Sequence, residues 1–233
     1  MKVEFDIHPV QADILRVLLF QPSARYSDLN KTEITSDHFN FHVKRLLELN
    51  LISKNDKGEY ILTTVGKEFA NRFDTDTNKL ERQPKLTSLI CCTRVENGKR
   101  FYLVQKRLKQ PYYGYIGFMG GKARWGETHL EFCRREMLEE SGYDGDISLM
   151  GFKHKMDYDQ NNILLEDKYY LVFKVENVRG DFIERFEGGE NIWMEKEDIY
   201  KMDNLFDGID ETLSIAEGNV LNFIEKKYNV KGY

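Results

Sequence analysis

Cysteine is scarce in this chain: 233 residues hold three, Cys91, Cys92 and Cys133. Their spacing fits no metal-binding pattern, and Cys91 and Cys92, adjacent in a strand-like run, point to opposite faces. That excludes a disulfide framework or a zinc cluster and leaves buried free thiols, which suit a reducing cytoplasm. No apolar run is long enough to span a membrane, and the stretch Met1 to His8 lacks the pattern of a secretory signal. A surplus of basic charge is missing too. Thirty-four Lys+Arg against 39 Asp+Glu give a net charge of -5, which removes any global electrostatic case for nucleic-acid binding. What the chain has is 41% hydrophobic and 13% aromatic residues, ample for one large or two ordinary packed domains.

The periodicity divides it in two. Residues 74–84 are polar, aperiodic and end in Pro84, so residues 1–74 and 85–233 are expected as separate domains joined by a linker at 75–84. The first segment is mainly helical. Pro9 suits a first helical position, and Ile14, Val17 and Leu18 form a stripe. A short helix follows near 26–30. Ser36 is placed as the N-cap of a third helix whose Phe39, Val43, Leu46 and Leu47 face inward, with His42 packed beside them. A hairpin turns at Asn55-Asp-Lys-Gly58, and Thr64 is placed to cap a last helix reaching about Phe73. Helices, hairpin and closing helix, with Phe39-Asn-Phe-His-Val-Lys-Arg-Leu-Leu, resemble a winged helix-turn-helix domain. In that resemblance Lys44 and Arg45 lie on the recognition helix and would meet DNA. Residues 1–84, however, hold 12 Lys+Arg and 13 Asp+Glu, so the domain suits dimerisation or docking as readily as DNA.

The second segment opens with strand-like runs at 86–95 and 100–105, joined by Asn97-Gly98, a tight-hairpin signal. Further strands are expected at 147–154, 168–175 and 192–194. Residues 204–227 carry helical spacing at both ends, interrupted by Gly218.

Between them lies Gly121-Lys-Ala-Arg-Trp-Gly-Glu127-Thr-His-Leu-Glu-Phe-Cys-Arg-Arg135-Glu136-Met-Leu-Glu139-Glu140-Ser-Gly142-Tyr143. Thr128 and Glu131 form a capping box that starts a helix, and Gly142 suits its C-terminal end. Leu130, Cys133 and Met137 are spaced as a buried stripe. Glu136, Glu139 and Glu140, related by three and four residues, share a face beside it, where a divalent cation would remove their mutual repulsion. Oxygen donors of this kind suit Mg²⁺ or Mn²⁺ rather than zinc.

The stretch resembles the signature of the Nudix hydrolases: glycine, five residues, glutamate, seven residues, Arg-Glu, an aliphatic, any residue, Glu-Glu, any residue, glycine and an aliphatic. Only Tyr143, at the last position, departs from it. The resemblance implies an α/β/α sandwich with a mixed sheet over about 85–215. It implies a Mg²⁺-dependent enzyme that cleaves a diphosphate bond in a nucleoside diphosphate derivative such as ADP-ribose, a dinucleotide or a nucleotide sugar. It also implies that Glu136, Glu139 and Glu140, with the carbonyl of Gly121 or Gly120, hold the metal, that Arg135 orients Glu127, and that Glu139 and Glu140 are catalytic. The family often draws one more carboxylate from a loop. Glu187 and Glu190 are the candidates, with Asp157, Asp159, Glu166 and Asp167 in competition. In the glycine- and aromatic-rich run 111–121, Tyr112, Tyr113, Tyr115 or Phe118 would stack on a base, and Lys122 and Arg124 would meet phosphate. A transcription regulator that senses a nucleotide metabolite and binds DNA through the first domain is the alternative. Both domain types accommodate homodimers.

Overall fold

A computed structural model describes residues 7–30, 34–74, 79–80 and 82–231. Residues 75–78 and 81 of the expected linker lie outside them. The chain forms two compact units, Met1–Gln83 and Pro84–Tyr233.

In the first unit, α1 (Pro9–Phe20), α2 (Tyr26–Leu29) and α3 (Ser36–Glu48) precede a hairpin of β1 (Ile52–Lys54) and β2 (Tyr60–Leu62), then α4 (Thr64–Ala70). Two short strands, β3 (Phe73–Asp74) and β4 (Lys79–Leu80), pair antiparallel at its end. Ile14, Leu15, Leu18, Phe39, Val43, Leu46, Leu51 and Phe69 make one apolar core. Two expected caps shift by one residue. Thr35, not Ser36, accepts from the His38 amide. Thr63, not Thr64, accepts from the Gly66 amide while its hydroxyl donates to the Asn50 carbonyl. In both cases the residue before the expected cap has the extended backbone that an N-cap requires. The last helix also ends at Ala70, short of Phe73, and Leu47 is exposed.

His42 is buried, as expected of a packed histidine. Its ring stacks on His8 at 4.3 Å and lies 4.9 Å from His38. Neither ring nitrogen has a hydrogen-bond partner among the described residues. Burial, then the positive charge that His8 and His38 would carry, holds its pKa below the ordinary value of 6.5.

The second unit is built on an eight-stranded mixed sheet. Along it lie β10 (Arg185–Phe186), β11 (Gly189–Glu195), β6 (Lys99–Arg107), β5 (Lys85–Glu96), β9 (Leu164–Gly180), β8 (Tyr143–Tyr158) and β12 (Asn222–Asn229), with β7 (Ile116–Phe118) paired to β6. β5 runs parallel to β9 and β12 parallel to β8; the other pairs are antiparallel. Asn97 and Gly98 take positive φ, 51° and 77°, in the tight turn between β5 and β6. One face of the sheet carries α5 (His129–Ser141), packed on Ile90, Cys92, Leu103 and Phe173. The other carries α7 (Ile209–Ala216), packed on Cys91, Val104 and Val172; the short α6 (Lys196–Ile199) adds Ile199 to this core. Cys91 and Cys92 thus lie in separate cores, and burial raises both thiol pKa values.

The tail corrects an expectation. Beyond α7, residues 222–229 form an edge strand rather than a helix, paired parallel along β8 from Gly151 to Tyr158. His154 fastens this strand. Its two ring nitrogens lie 2.6 Å from Glu225 and 2.8 Å from Asp167. Burial opposes charging the ring, but the two carboxylates outweigh it and raise the pKa. No helix among the described residues is long and apolar enough to cross a membrane.

The two histidines predict opposite pH responses. His42, with a lowered folded-state pKa, stabilises the first unit above the ordinary histidine value and loses that contribution as pH falls below it. His154, with a raised one, stabilises the second unit below that value and loses it as pH rises through the raised pKa. Denaturant unfolding between pH 5 and 8 (about ±1.5 units around the ordinary histidine pKa) checks this. His42→Phe should flatten the acid-side loss, and an unchanged acid-side slope contradicts the assignment.

Candidate active site

The site is organised by α5. Its N-terminus is closed by the expected capping box, with Thr128 accepting from the Glu131 amide and Glu131 from the Thr128 amide. Its C-terminus is closed by Gly142 in the left-handed region at φ 73°. A Cβ on Gly142 would stand 1.9 Å from the Asp181 carbonyl oxygen. The buried stripe is Phe132, Cys133 and Met137, whereas Leu130 is exposed. Phe132 takes the inward position and contributes roughly 1.5–3 kcal/mol by its burial. Tyr143, the departure from the signature, stacks on Phe182 and tilts against Trp193, so an aromatic completes the packing where an aliphatic is usual.

Glu136, Glu139 and Glu140 share one face of the helix but not one environment. Glu136 is buried, Glu140 half-buried and Glu139 exposed. Arg135 sits among them. Its Nε and Nη2 donate to the two carboxylate oxygens of Glu127 at 2.5 and 2.9 Å. Its Nη1 donates to Glu136 at 2.6 Å and to Glu139 at 3.1 Å, and its Nη2 reaches the Lys122 carbonyl at 3.2 Å. The hydrogen bonds from Arg135 hold the Glu127 carboxyl down to about 2, and those carboxylates raise the Arg135 pKa in turn. Glu127 also accepts from the Arg124 amide, and the Arg124 side chain reaches Glu139 at 3.1 Å. One guanidinium therefore ties the loop 121–127 to the helix.

The Gly121 backbone closes over Glu136. A Cβ at Gly121 would lie 2.1–2.2 Å from the Glu136 carboxylate, and a Cβ at Gly120 would lie 2.0 Å from the Ser88 carbonyl oxygen. Gly121 is pinned to β5, where the Ser88 amide donates to the Gly121 carbonyl and the Ser88 Oγ accepts from the Gly121 amide. Glu140 accepts from Gln105 Nε2 at 3.0 Å, and its backbone carbonyl accepts from Asn191 Nδ2 at 2.7 Å. Burial raises the Glu140 pKa; the Gln105 bond opposes this, and the charge of Glu136 adds to it.

An all-oxygen donor set with a desolvated carboxylate fits a hard divalent cation. The Glu140 carboxyl, raised by burial and by Glu136, is the group that such a charge would relieve. Among the described residues no three acidic, histidine or cysteine side chains converge on one point. Arg135 Nη1 stands between Glu136 and Glu139 and holds those two as its own partners.

Other expected residues are placed as follows. Glu187 is exposed in the turn between β10 and β11. Glu190 lies in β11 opposite Lys106 and Arg185, one residue from Asn191 and hence on the other face of the strand. Neither joins the hydrogen bonds described around α5. Asp157 pairs with Lys155 and the Tyr112 hydroxyl, Glu166 with Lys85 and Lys168, and Asp167 with His154. Asp159 caps its own turn, accepting from the Asn161 and Ile163 amides. Phe118 is buried, and Tyr112, Tyr115 and Phe206 pack edge-on or tilted at 5.3–5.5 Å. Tyr113, Lys122 and Arg124 are exposed. Sequence reasoning missed Ser88, Gln105 and Asn191. An amide at the end of one strand and another inside the apolar run Asn-Ile-Trp-Met were the available signals.

A mixed sheet flanked by helices, with one helix of carboxylates tied to a glycine loop, defines a Nudix-like α/β fold. The NUDIX domain profile matches residues 85–213, more than half of the chain, and the chain belongs to that family as a Nudix hydrolase. Among curated proteins none matches it significantly. Among the solved structures that share the fold are two with TM-scores of 0.50 and 0.51. The NUDIX domain of Shewanella oneidensis NrtR, complexed with ADP ribose, is 15% identical, with 67% of this chain and 97% of that chain covered at a TM-score of 0.51. The MutT protein from Bacillus halodurans is 18% identical, with 62% and 90% covered at a TM-score of 0.50.

The close approach of Gly121 gives a direct check. Gly121→Ala should displace the Glu136 carboxylate and lower kcat by about 10²-fold with little change in melting temperature, since only a side-chain tip must move. Unchanged kcat in a folded variant contradicts this placement.

Proposed function

We propose that the protein is a divalent-cation-dependent hydrolase of the diphosphate bond in a nucleoside diphosphate derivative, of the class that includes ADP-ribose, dinucleotides and nucleotide sugars. The observation that carries this reading is the set Glu136, Glu139 and Glu140 on one face of α5, with the Gly121 backbone against Glu136. The NrtR domain with ADP ribose supports a nucleotide derivative as substrate.

Nudix hydrolases generally use divalent ions such as Mg²⁺, and Glu136, Glu139 and Glu140 with the Gly121 carbonyl are the groups to hold one. Bound there, the ion supplies neutralisation of the diphosphate charge and a more acidic water. The protein's own residues then divide the work. Arg135 fixes Glu127 and Glu136, so the loop carrying Gly121 stays at the helix. Gln105 and Asn191 hold the end of α5 at Glu140. Glu139, exposed and tied only to arginines, is free to turn from Arg124 toward the water and take its proton on a carboxylate oxygen. Arg124, released from Glu139, meets phosphate oxygens, and the positive charges of Lys109 and Arg107 lie near Glu140. Glu187 and Glu190 stay proposals for a further loop carboxylate.

The first unit carries a second reading. α1 to α3, the hairpin, and the isolated antiparallel bridge between Ala24 and Tyr60 support a winged helix-turn-helix domain, with Lys44 and Arg45 exposed on α3. DNA binding through these two residues would make the protein a regulator, and a homodimer would suit either role. Retention of a specific duplex at moderate salt, lost in Lys44→Ala/Arg45→Ala, tests that reading.

The enzyme reading is tested by incubating the full chain with Mg²⁺ and ADP-ribose, NADH, dinucleoside polyphosphates, nucleotide sugars and nucleoside triphosphates. Glu140→Gln and Glu136→Gln should each lower kcat by roughly 10²–10³-fold, the scale of one lost electrostatic contact to the transition state, with the fold retained. Full activity in Glu140→Gln contradicts the site.

A further inference from the structure

Trp125 is 95% exposed, more than any other large apolar side chain among the described residues. Its place is not a loose loop. Residues 124–127 form a turn closed by the Glu127 amide donating to the Arg124 carbonyl at 3.2 Å, with Gly126 at φ 88°. The Arg124 amide closes it again on the Glu127 carboxylate at 2.8 Å. That carboxylate is held by Arg135 on α5, the Ala123 amide is held by Leu86 of β5, and the Arg124 side chain lies on Glu139. Trp125 therefore occupies the crown of a rigid turn, one residue from a guanidinium that touches a carboxylate of the site. Type II turns take almost any residue at this position when glycine follows, so the turn does not call for tryptophan. An uncovered indole leaves most of its ~150–250 Å² of burial unused.

The neighbours indicate what covers it. Lys122, Arg124, Thr128, His129 and Glu131 are all exposed and polar. The exposed aliphatics on the adjoining segments are Leu86, whose carbonyl holds the Ala123 amide, and Leu130, short of the apolar cluster on which a protein interface centres. A flat aromatic face flanked in the chain by Lys122 and Arg124 suits a nucleobase attached to phosphates. The aromatic run upstream offers little competition: Tyr112 and Phe118 are buried, Tyr115 is packed with Tyr112 and Phe206, and only Tyr113 stands free of the core.

We propose that Trp125 stacks on the base of the substrate and, with Arg124, positions the nucleotide over the α5 carboxylates, which makes it the residue that favours base-bearing diphosphates over those without a base. This rests on the diphosphate-hydrolase reading. The test uses the full chain in Mg²⁺ and the panel substrate that the wild type cleaves best. Trp125→Ala should raise KM by tenfold or more, a loss of ~1.4 kcal/mol per tenfold, with kcat within about threefold, and Trp125→Phe should recover most of the KM. The only other tryptophan, Trp193, lies under Arg94 at 4.3 Å. AMP should therefore change the emission of the wild type but not of Trp125→Phe, and ribose 5-phosphate should change neither. Unchanged KM in Trp125→Ala overturns the proposal, as does a fall in kcat alone, which would mark a loop support, or an emission blind to AMP. A wild type that cleaves no diphosphate in the panel overturns the underlying reading instead.

Discussion

The Arg135–Glu127 pair is the interaction on which the rest of the site depends. Eight residues separate the two in sequence, and two parallel hydrogen bonds join them in space. The geometry is the bidentate fork that makes Arg–carboxylate pairs the strongest and most directional of ion pairs. Both side chains are mostly shielded, so solvent screening weakens the pair less than it would on an open surface. Through it the loop 121–127 is fixed against α5. The loop in turn sets the Gly121 backbone against Glu136 and the Arg124 side chain against Glu139.

The same guanidinium explains why the three glutamates tolerate one another. Like charges at three- and four-residue spacing on a helix repel. Here Arg135 takes one oxygen from Glu136 and one from Glu139, while Glu140, which it does not touch, is desolvated and has its pKa pushed up. The repulsion is thus offset unevenly. Two carboxylates share the Arg135 guanidinium, and the third is left as the place where added positive charge has the largest effect. That asymmetry links helix spacing to the demand for a cation and, through it, to the chemistry of a diphosphate.

Most of this was legible in the sequence because the signature is local. The capping box at Thr128 and Glu131, the terminal Gly142 and the shared face of the glutamates depend on spacing within one helix, and spacing is what a sequence displays. The Asn97-Gly98 hairpin was legible for the same reason. The tail was not. The strand identity of residues 222–229 depends on the free edge of β8 and on Glu225 reaching His154. Ser88, Gln105 and Asn191 were missed because each acts across strands, at separations a linear pattern does not encode. Phe118 and Tyr112 illustrate the opposite error. Aromatics in a glycine-rich run read as a binding surface, yet strand pairing at β7 and the hydrogen bond to Asp157 consign them to the interior.

The central claim is that α5 and its loop direct water onto phosphorus. Hydrolysis of ADP-ribose by the full chain with Mg²⁺ in ¹⁸O-labelled water, followed by mass spectrometry of the products, tests it most directly. The account predicts one ¹⁸O atom in the phosphate of AMP or of ribose 5-phosphate, and loss of that product when Mg²⁺ is removed. Products that carry the label on carbon, or that form equally well in a chelator, would contradict it.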